Sequence, residues 1–133
     1  MTPEAHEYLA KSRQLLEEAR AVFAIHLLEA AGRAAYLAAY HAAQAFIFDR
    51  TGKIAKTHSG VRSEFSRLAK NEPCIERRFL TFLGQAYTLK EVADYGMGPN
   101  TKVPPERAAT AIETTACFID VVTSLLGEQT TNI

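Results

Sequence analysis

Apolar residues recur along this chain at intervals of three and four, not two. That period belongs to helices that bury one face. From about Pro3 to Phe23, the residues Ala5, Leu9, Ser12, Leu16, Ala19 and Phe23 form one stripe, while Glu7, Lys11, Arg13, Glu17 and Arg20 decorate the remainder. Thr2 is placed to cap this helix, with Pro3 at its first position.

A second helix is predicted from about His26 to Arg50, with Gly52 as its stop. Its side chains fall into rows at i+4. Ala30, Ala34, Ala38, Ala42 and Phe46 form one, and Ala31, Ala35, Ala39, Ala43 and Ile47 the next. Gly32, Tyr36, Tyr40, Gln44 and Phe48 form a third, and Arg33, Leu37, His41 and Ala45 a fourth. A helix apolar nearly all round is buried nearly all round. One reading is the central helix of a monomer. The other, which we expect, is a homodimer sharing this helix, because a bundle of this size struggles to cover it alone.

Lys53 to Lys56 read as a linker. A third helix is expected from about Thr57 to Lys70, with Val61, Phe65 and Leu68 inward, and Asn71-Glu72-Pro73 breaking it. A fourth runs from about Cys74 to Tyr95, with Phe79, Phe82 or Leu83, Ala86, and Leu89 or Ala93 inward. Gly96 to Asn100 form a loop expected to move. A fifth helix starts near Pro104-Pro105 and ends at Gly127, with Ile112, Ala116, Ile119, Val122 and Leu126 as its stripe. Residues 128–133 read as a frayed tail. The expectation is one all-α domain over residues 1–133, an up-and-down antiparallel bundle of four to five helices.

Composition supports this. The 22 alanines favour helix, and glycine and proline sit mostly between the periodic segments. With 15 basic and 15 acidic residues the formal net charge is zero, which argues against holding nucleic acid by bulk electrostatics but leaves room for a local basic cleft. No continuous apolar run approaches the length of a membrane span, and the N-terminus lacks the basic-then-apolar layout of a signal peptide. Cys74 and Cys117 lie far apart and read as reduced thiols, pointing to a cytoplasmic location.

Three groups could carry chemistry. His41 sits mid-helix among apolar residues, with Arg33 in the same row. A histidine moving protons and an arginine stabilising phosphorane charge could cleave RNA without metal. The plainer reading is a core histidine bonded to a tyrosine or carboxylate. Lys56-Thr57-His58-Ser59-Gly60 opens the third helix, where a lysine and a histidine beside a helix start could hold a phosphate. Capping alone is the alternative. Lys90, Asp94 and Tyr95 end the fourth helix. If helices three and four are antiparallel, these meet Lys56 and His58 at one bundle end, together with the end of helix two, and His41 lies deeper. The alternative is a structural Asp–Lys or Asp–His bond tying helices together. Histidine and cysteine spacing offers no metal site, and no cofactor is expected.

These residues resemble a known family. The segment from Ala35 to Ala43, AYLAAYHAA, resembles the "AYYAxFHAA" core of HEPN-domain proteins. Lys56 to Val61, KTHSGV, resembles the "KTHxGV" segment of one bacterial and archaeal branch. Ala86 to Tyr95, AYTLKEVADY, resembles its "AYxxRExADY" segment. The three stand in order and register. The resemblance implies a dimerising all-α bundle. It implies a metal-independent ribonuclease that serves as the toxin beside a minimal nucleotidyltransferase antitoxin. It assigns the catalytic histidine to His41. The family arginine falls on Ala34, so Arg33 stands one residue early, about 80° from His41 around the helix. Lys90 takes the place of an arginine, and Ala43 that of a tyrosine. The expected function is therefore a toxin-like HEPN protein with an altered Arg33/His41 site and a phosphate- or nucleotide-binding group of Lys56, His58, Lys90, Asp94 and Tyr95. The alternative is a non-catalytic module that binds a nucleotide or a partner.

Overall fold

A computed structural model describes residues 1–97 and 102–127 of the chain. Five helices account for its regular structure: α1 Pro3–Ala24, α2 Leu28–Thr51, α3 His58–Ala69, α4 Arg77–Tyr95 and α5 Pro105–Leu125. The all-α bundle is as expected. Much of the expected loop from Gly96 to Asn100, and the tail, lie outside the described residues.

Local chemistry explains the ends. Thr2 Oγ1 accepts the Ala5 N–H at 3.1 Å, and Pro3 opens α1. Thr57 does the same for α3, accepting from Gly60 N at 2.9 Å. Gly52 closes α2 at φ 73°, a left-handed conformation that glycine adopts without steric cost. The fourth helix starts later than its sequence pattern suggests, because Cys74 and Ile75 belong to a turn in which Ile75 N–H bonds to Glu72 C=O.

α2 is the axis of the molecule and packs against each of the other four helices. Ala31, Ala35, Ala38, Ala39, Ala42, Ala43 and Ala45 are wholly buried. Their small side chains let neighbouring helices approach its backbone. Ser12 Oγ of α1 donates to the Ala38 carbonyl at 2.7 Å, and Thr115 Oγ1 of α5 donates to the Ala35 carbonyl at 3.1 Å. Gly32 faces Leu89 of α4 so closely that a Cβ there would stand 3.2 Å from Leu89 Cβ. One copy of the chain therefore buries this helix. Burial of this helix does not of itself require a second copy. Apart from its two ends, only a strip through Ala30, Arg33, Leu37, Tyr40, His41 and Phe48 stays open or half-open.

α1, α2, α4 and α5 alternate in direction. Ser12 meets Ala38 while Tyr8 meets Phe48, and Arg33 meets Asp94 while Tyr36 meets Tyr87. The Phe79 and Phe118 rings pack together, and Leu89 shares a groove with Arg107 and Ala111.

α3 is a short addition to this four-helix frame. The linker after Gly52 doubles back along α2, held where Gln44 bonds to both backbone groups of Ala55. α3 then starts beside Tyr36 and Tyr40 and runs in the same sense as α2, until Phe65 packs on Phe46. The end of α2 is consequently far from the start of α3. Arg50 pairs instead with Glu72, just beyond the end of α3, at 2.9 Å.

α5 is, by length and a mean hydropathy of 1.3 over its best window, apolar enough to cross a membrane. The sequence pattern alone did not suggest this, because Glu113, Asp120 and several threonines break any continuous apolar run. Ala108, Ala111, Phe118, Ile119 and Val122 are buried inside the bundle.

Candidate functional site

His58 is the centre of the best-formed polar cluster. It is the first residue of α3, and the doubled-back linker sets it against the middle of α2 and α4. Its ring lies among three tyrosines, with centroid distances of 4.7 Å to Tyr40, 5.1 Å to Tyr87 and 5.6 Å to Tyr36. Nδ1 lies 2.7 Å from the hydroxyl of Tyr36. Tyr36 is buried, which pushes its phenol far above the ordinary tyrosine range. It stays protonated and can serve His58 as donor or acceptor.

Around this ring is a surface recess lined by Lys56, Thr57, His58, Ser59, Arg62 and Tyr87. Arg62 sits one turn beyond His58, with its guanidinium carbon 5.2 Å from the centre of the Tyr87 ring. Its Nη1 is buried and finds no hydrogen-bond partner among the described residues. Burial, and then the nearby charges of Lys90 and Arg62, hold the His58 pKa below the ordinary histidine value, while Glu91 opposes them. His58 is therefore a neutral imidazole at pH 7 between two cations.

Lys90 links this recess to the end of α4. Its ammonium donates to Asp94 Oδ2 at 3.0 Å, and Arg33 Nε donates to Asp94 Oδ1 at 2.7 Å. The bond from Lys90, with help from Arg33, holds the Asp94 carboxyl below the usual carboxylate range. Asp94 thus ties the start of α2 to the end of α4 through Arg33, not through the lysine or histidine partner considered from the sequence, since its bond to Lys90 stays within α4. Tyr95 is largely exposed and lies under the Lys90 ammonium at 5.1 Å. Neither Asp94 nor Tyr95 lines the recess.

His41 stands elsewhere. Its ring packs on Tyr8 of α1 at 6.5 Å, in a recess shared with Glu4, Glu7, Tyr8 and Lys11. Burial and the Lys11 charge lower its pKa, and its buried Nδ1 has no partner among the described residues. Arg33 is eight residues up the helix, about 12 Å along the axis at 1.5 Å per residue. Its guanidinium is engaged by Asp94. The fold brings Lys56 and His58 together, brings Lys90 near them, and does not pair Arg33 with His41.

Sequence reasoning missed Arg62 and the enclosing role of Tyr87. A signal existed for Arg62, since it lies four residues after His58 and so on the same helical face. No group of three or more metal-binding side chains occurs among the described residues.

The helical bundle thus carries a cationic, aromatic-walled recess at the start of a short helix. The HEPN domain family model matches residues 5–125, nearly the full length, so the chain belongs to the HEPN domain family. No curated protein matches it.

Proposed function

We propose that this HEPN domain binds a phosphate-bearing ligand, a nucleotide or an RNA strand, in the recess formed by Lys56, His58 and Arg62. The observation that carries this reading is the convergence of those three groups on one surface recess, with no carboxylate among its lining residues. Lys56 supplies a mobile point charge, and Arg62 a planar fork suited to phosphate oxygens. Tyr87 and Tyr40 offer ring faces beside them. Lys90 contributes field from one turn further along α4.

The test is titration of the protein with a nucleoside monophosphate and with a short single-stranded RNA, followed by calorimetry and by the imidazole signals of His58. Binding that Arg62→Ala weakens by about tenfold supports the reading, since a hydrogen bond to a charged group contributes roughly 1.5–3 kcal/mol. Binding unaffected by both Lys56→Ala and Arg62→Ala overturns it.

A second reading is the toxin-type ribonuclease that the family resemblance implies, with His41 moving the proton. The unpartnered Nδ1 of His41 favours it. The engagement of Arg33 by Asp94, and the presence of Glu4 and Glu7 beside His41, weigh against it. Under either reading, the three matched segments suggest a minimal nucleotidyltransferase as partner. Co-purification of such an enzyme with tagged protein from the native host tests that.

A further inference from the structure

The antiparallel helices α4 and α5 are filled unevenly along their contact. At one level the Phe79 and Phe118 rings pack, with centroids 5.4 Å apart. Two turns away, seven residues later on α4 and seven earlier on α5, stand Ala86 and Ala111. Rings at one level and methyl groups at the other leave a hollow between the helices, of about 370 Å³. Its floor is apolar. Ala86, Leu89 and Ala111 are buried there, and the half-buried Phe82 ring forms one wall.

The rim is polar and carries charge of one sign. Arg107 is exposed, and its guanidinium has no hydrogen bond or ion pair among the described residues. Gln85, Thr88 and Thr110 add neutral donors, and no carboxylate lines the hollow. Glu106, the neighbour of Arg107 on α5, is not part of the lining. Helix stability does not account for Arg107 either. It lies in the first turn of α5, where the helix dipole disfavours a cation. An apolar floor under a few convergent polar groups is the form of a small-molecule site.

We propose that this hollow binds a small carboxylate with an aryl or alkyl body. The carboxylate sits on the Arg107 guanidinium, and the body lies on Phe82, Leu89 and the two alanines. Length sets the size of the ligand. Phe82 to Leu89 covers about 10 Å of α4 at 1.5 Å per residue, the reach of one ring and a short chain. Charge sets the head group. One guanidinium with neutral donors matches the two oxygens and single charge of a carboxylate. A phosphate dianion would leave net negative charge in the hollow. The site is separate from the Lys56, His58 and Arg62 recess, which uses Tyr87 of α4 and no residue of α5. It does not rest on the phosphate-binding reading.

The experiment titrates the full isotope-labelled chain at pH 7 and follows its backbone amide signals. The probes are 4-phenylbutyrate, the matching alcohol, the matching amine and the matching phosphate monoester. The acid is expected to shift Ala86, Leu89 and Ala111 with a dissociation constant of roughly 1 mM, as about a dozen heavy atoms allow. The alcohol and the amine should bind at least about threefold more weakly, since an exposed charge pair contributes modestly. Arg107→Glu should reverse the order of acid and amine. This variant should fold at least as well as wild type, because an acidic residue suits the first turn of a helix. Thr110→Trp, at an exposed rim position, should block every probe. Shifts absent from the hollow, equal binding of acid, alcohol and amine, or an order that Arg107→Glu leaves unchanged overturns the site. Tighter binding of the phosphate monoester than of the acid overturns the assignment to carboxylates.

Discussion

Two half-buried histidines titrate below their ordinary value, each chiefly because burial penalises the charged form. The unfolded chain takes up these protons more readily than the folded one. Stability should therefore be level above pH 6.5, the ordinary histidine value, and decline as the pH falls beneath it. Urea midpoints at pH 7.5 and 5.5 would measure the decline, and His41→Leu should remove part of it. Asp94 offers a second residue-scale test. It neutralises Lys90, which in turn acts on His58. Asp94→Asn should leave Lys90 with only its longer contact to Glu91, at 3.7 Å, and lower the His58 pKa further, read by its imidazole proton shifts. At this scale Lys56 and His58 were legible in the sequence as a compact motif, and Lys90 and Asp94 as residues closing one helix. The separation of Arg33 from His41 was only half legible. Helical geometry already put them on different faces, but the carboxylate that claims Arg33 comes from a residue 61 positions away.

Among the elements, the ends of α1, α2 and α3 were readable because a cap is local chemistry. Thr57→Ala should cost about 1 kcal/mol, the usual worth of such a cap, measured by denaturant unfolding. The reversal before α3 was not readable. It depends on Gln44, which looks in sequence like one more polar member of an α2 row. Only the folded chain shows its amide turned onto Ala55. For the same reason the start of α3 was expected at the end of α2, whereas it lies near the middle. The contact of α2 with α4 makes a sharper test. Gly32→Val would force a branched side chain onto Leu89, and overpacking of this kind costs about 1–3 kcal/mol. Because Tyr87 rides on α4, the same variant should also weaken ligand binding in the recess.

Across the whole molecule, the alanine-rich α2 is covered by its own chain, so folding should not depend on protein concentration. A melting temperature unchanged over a wide dilution series would bear this out, and a falling one would indicate an obligate dimer. Zero net charge leaves no global attraction for polyanions. RNA binding through Lys56 and Arg62 should release only about two counterions, giving a shallow salt slope near −1.4, against the much steeper slopes of proteins that track many phosphates. Fluorescence anisotropy at several salt concentrations would measure it.

Gln44 pairs with Ala55 through both its carbonyl and its amide, at 3.2 and 2.8 Å. That is the reciprocal exchange two residues make across an antiparallel ladder, here made by one side chain. The helix thereby lends a single rung of strand to a segment that has no sheet. The Ala55 amide should accordingly resist hydrogen–deuterium exchange like a core amide, although it lies in a connecting stretch, and Gln44→Ala should release it while α2 keeps its protection.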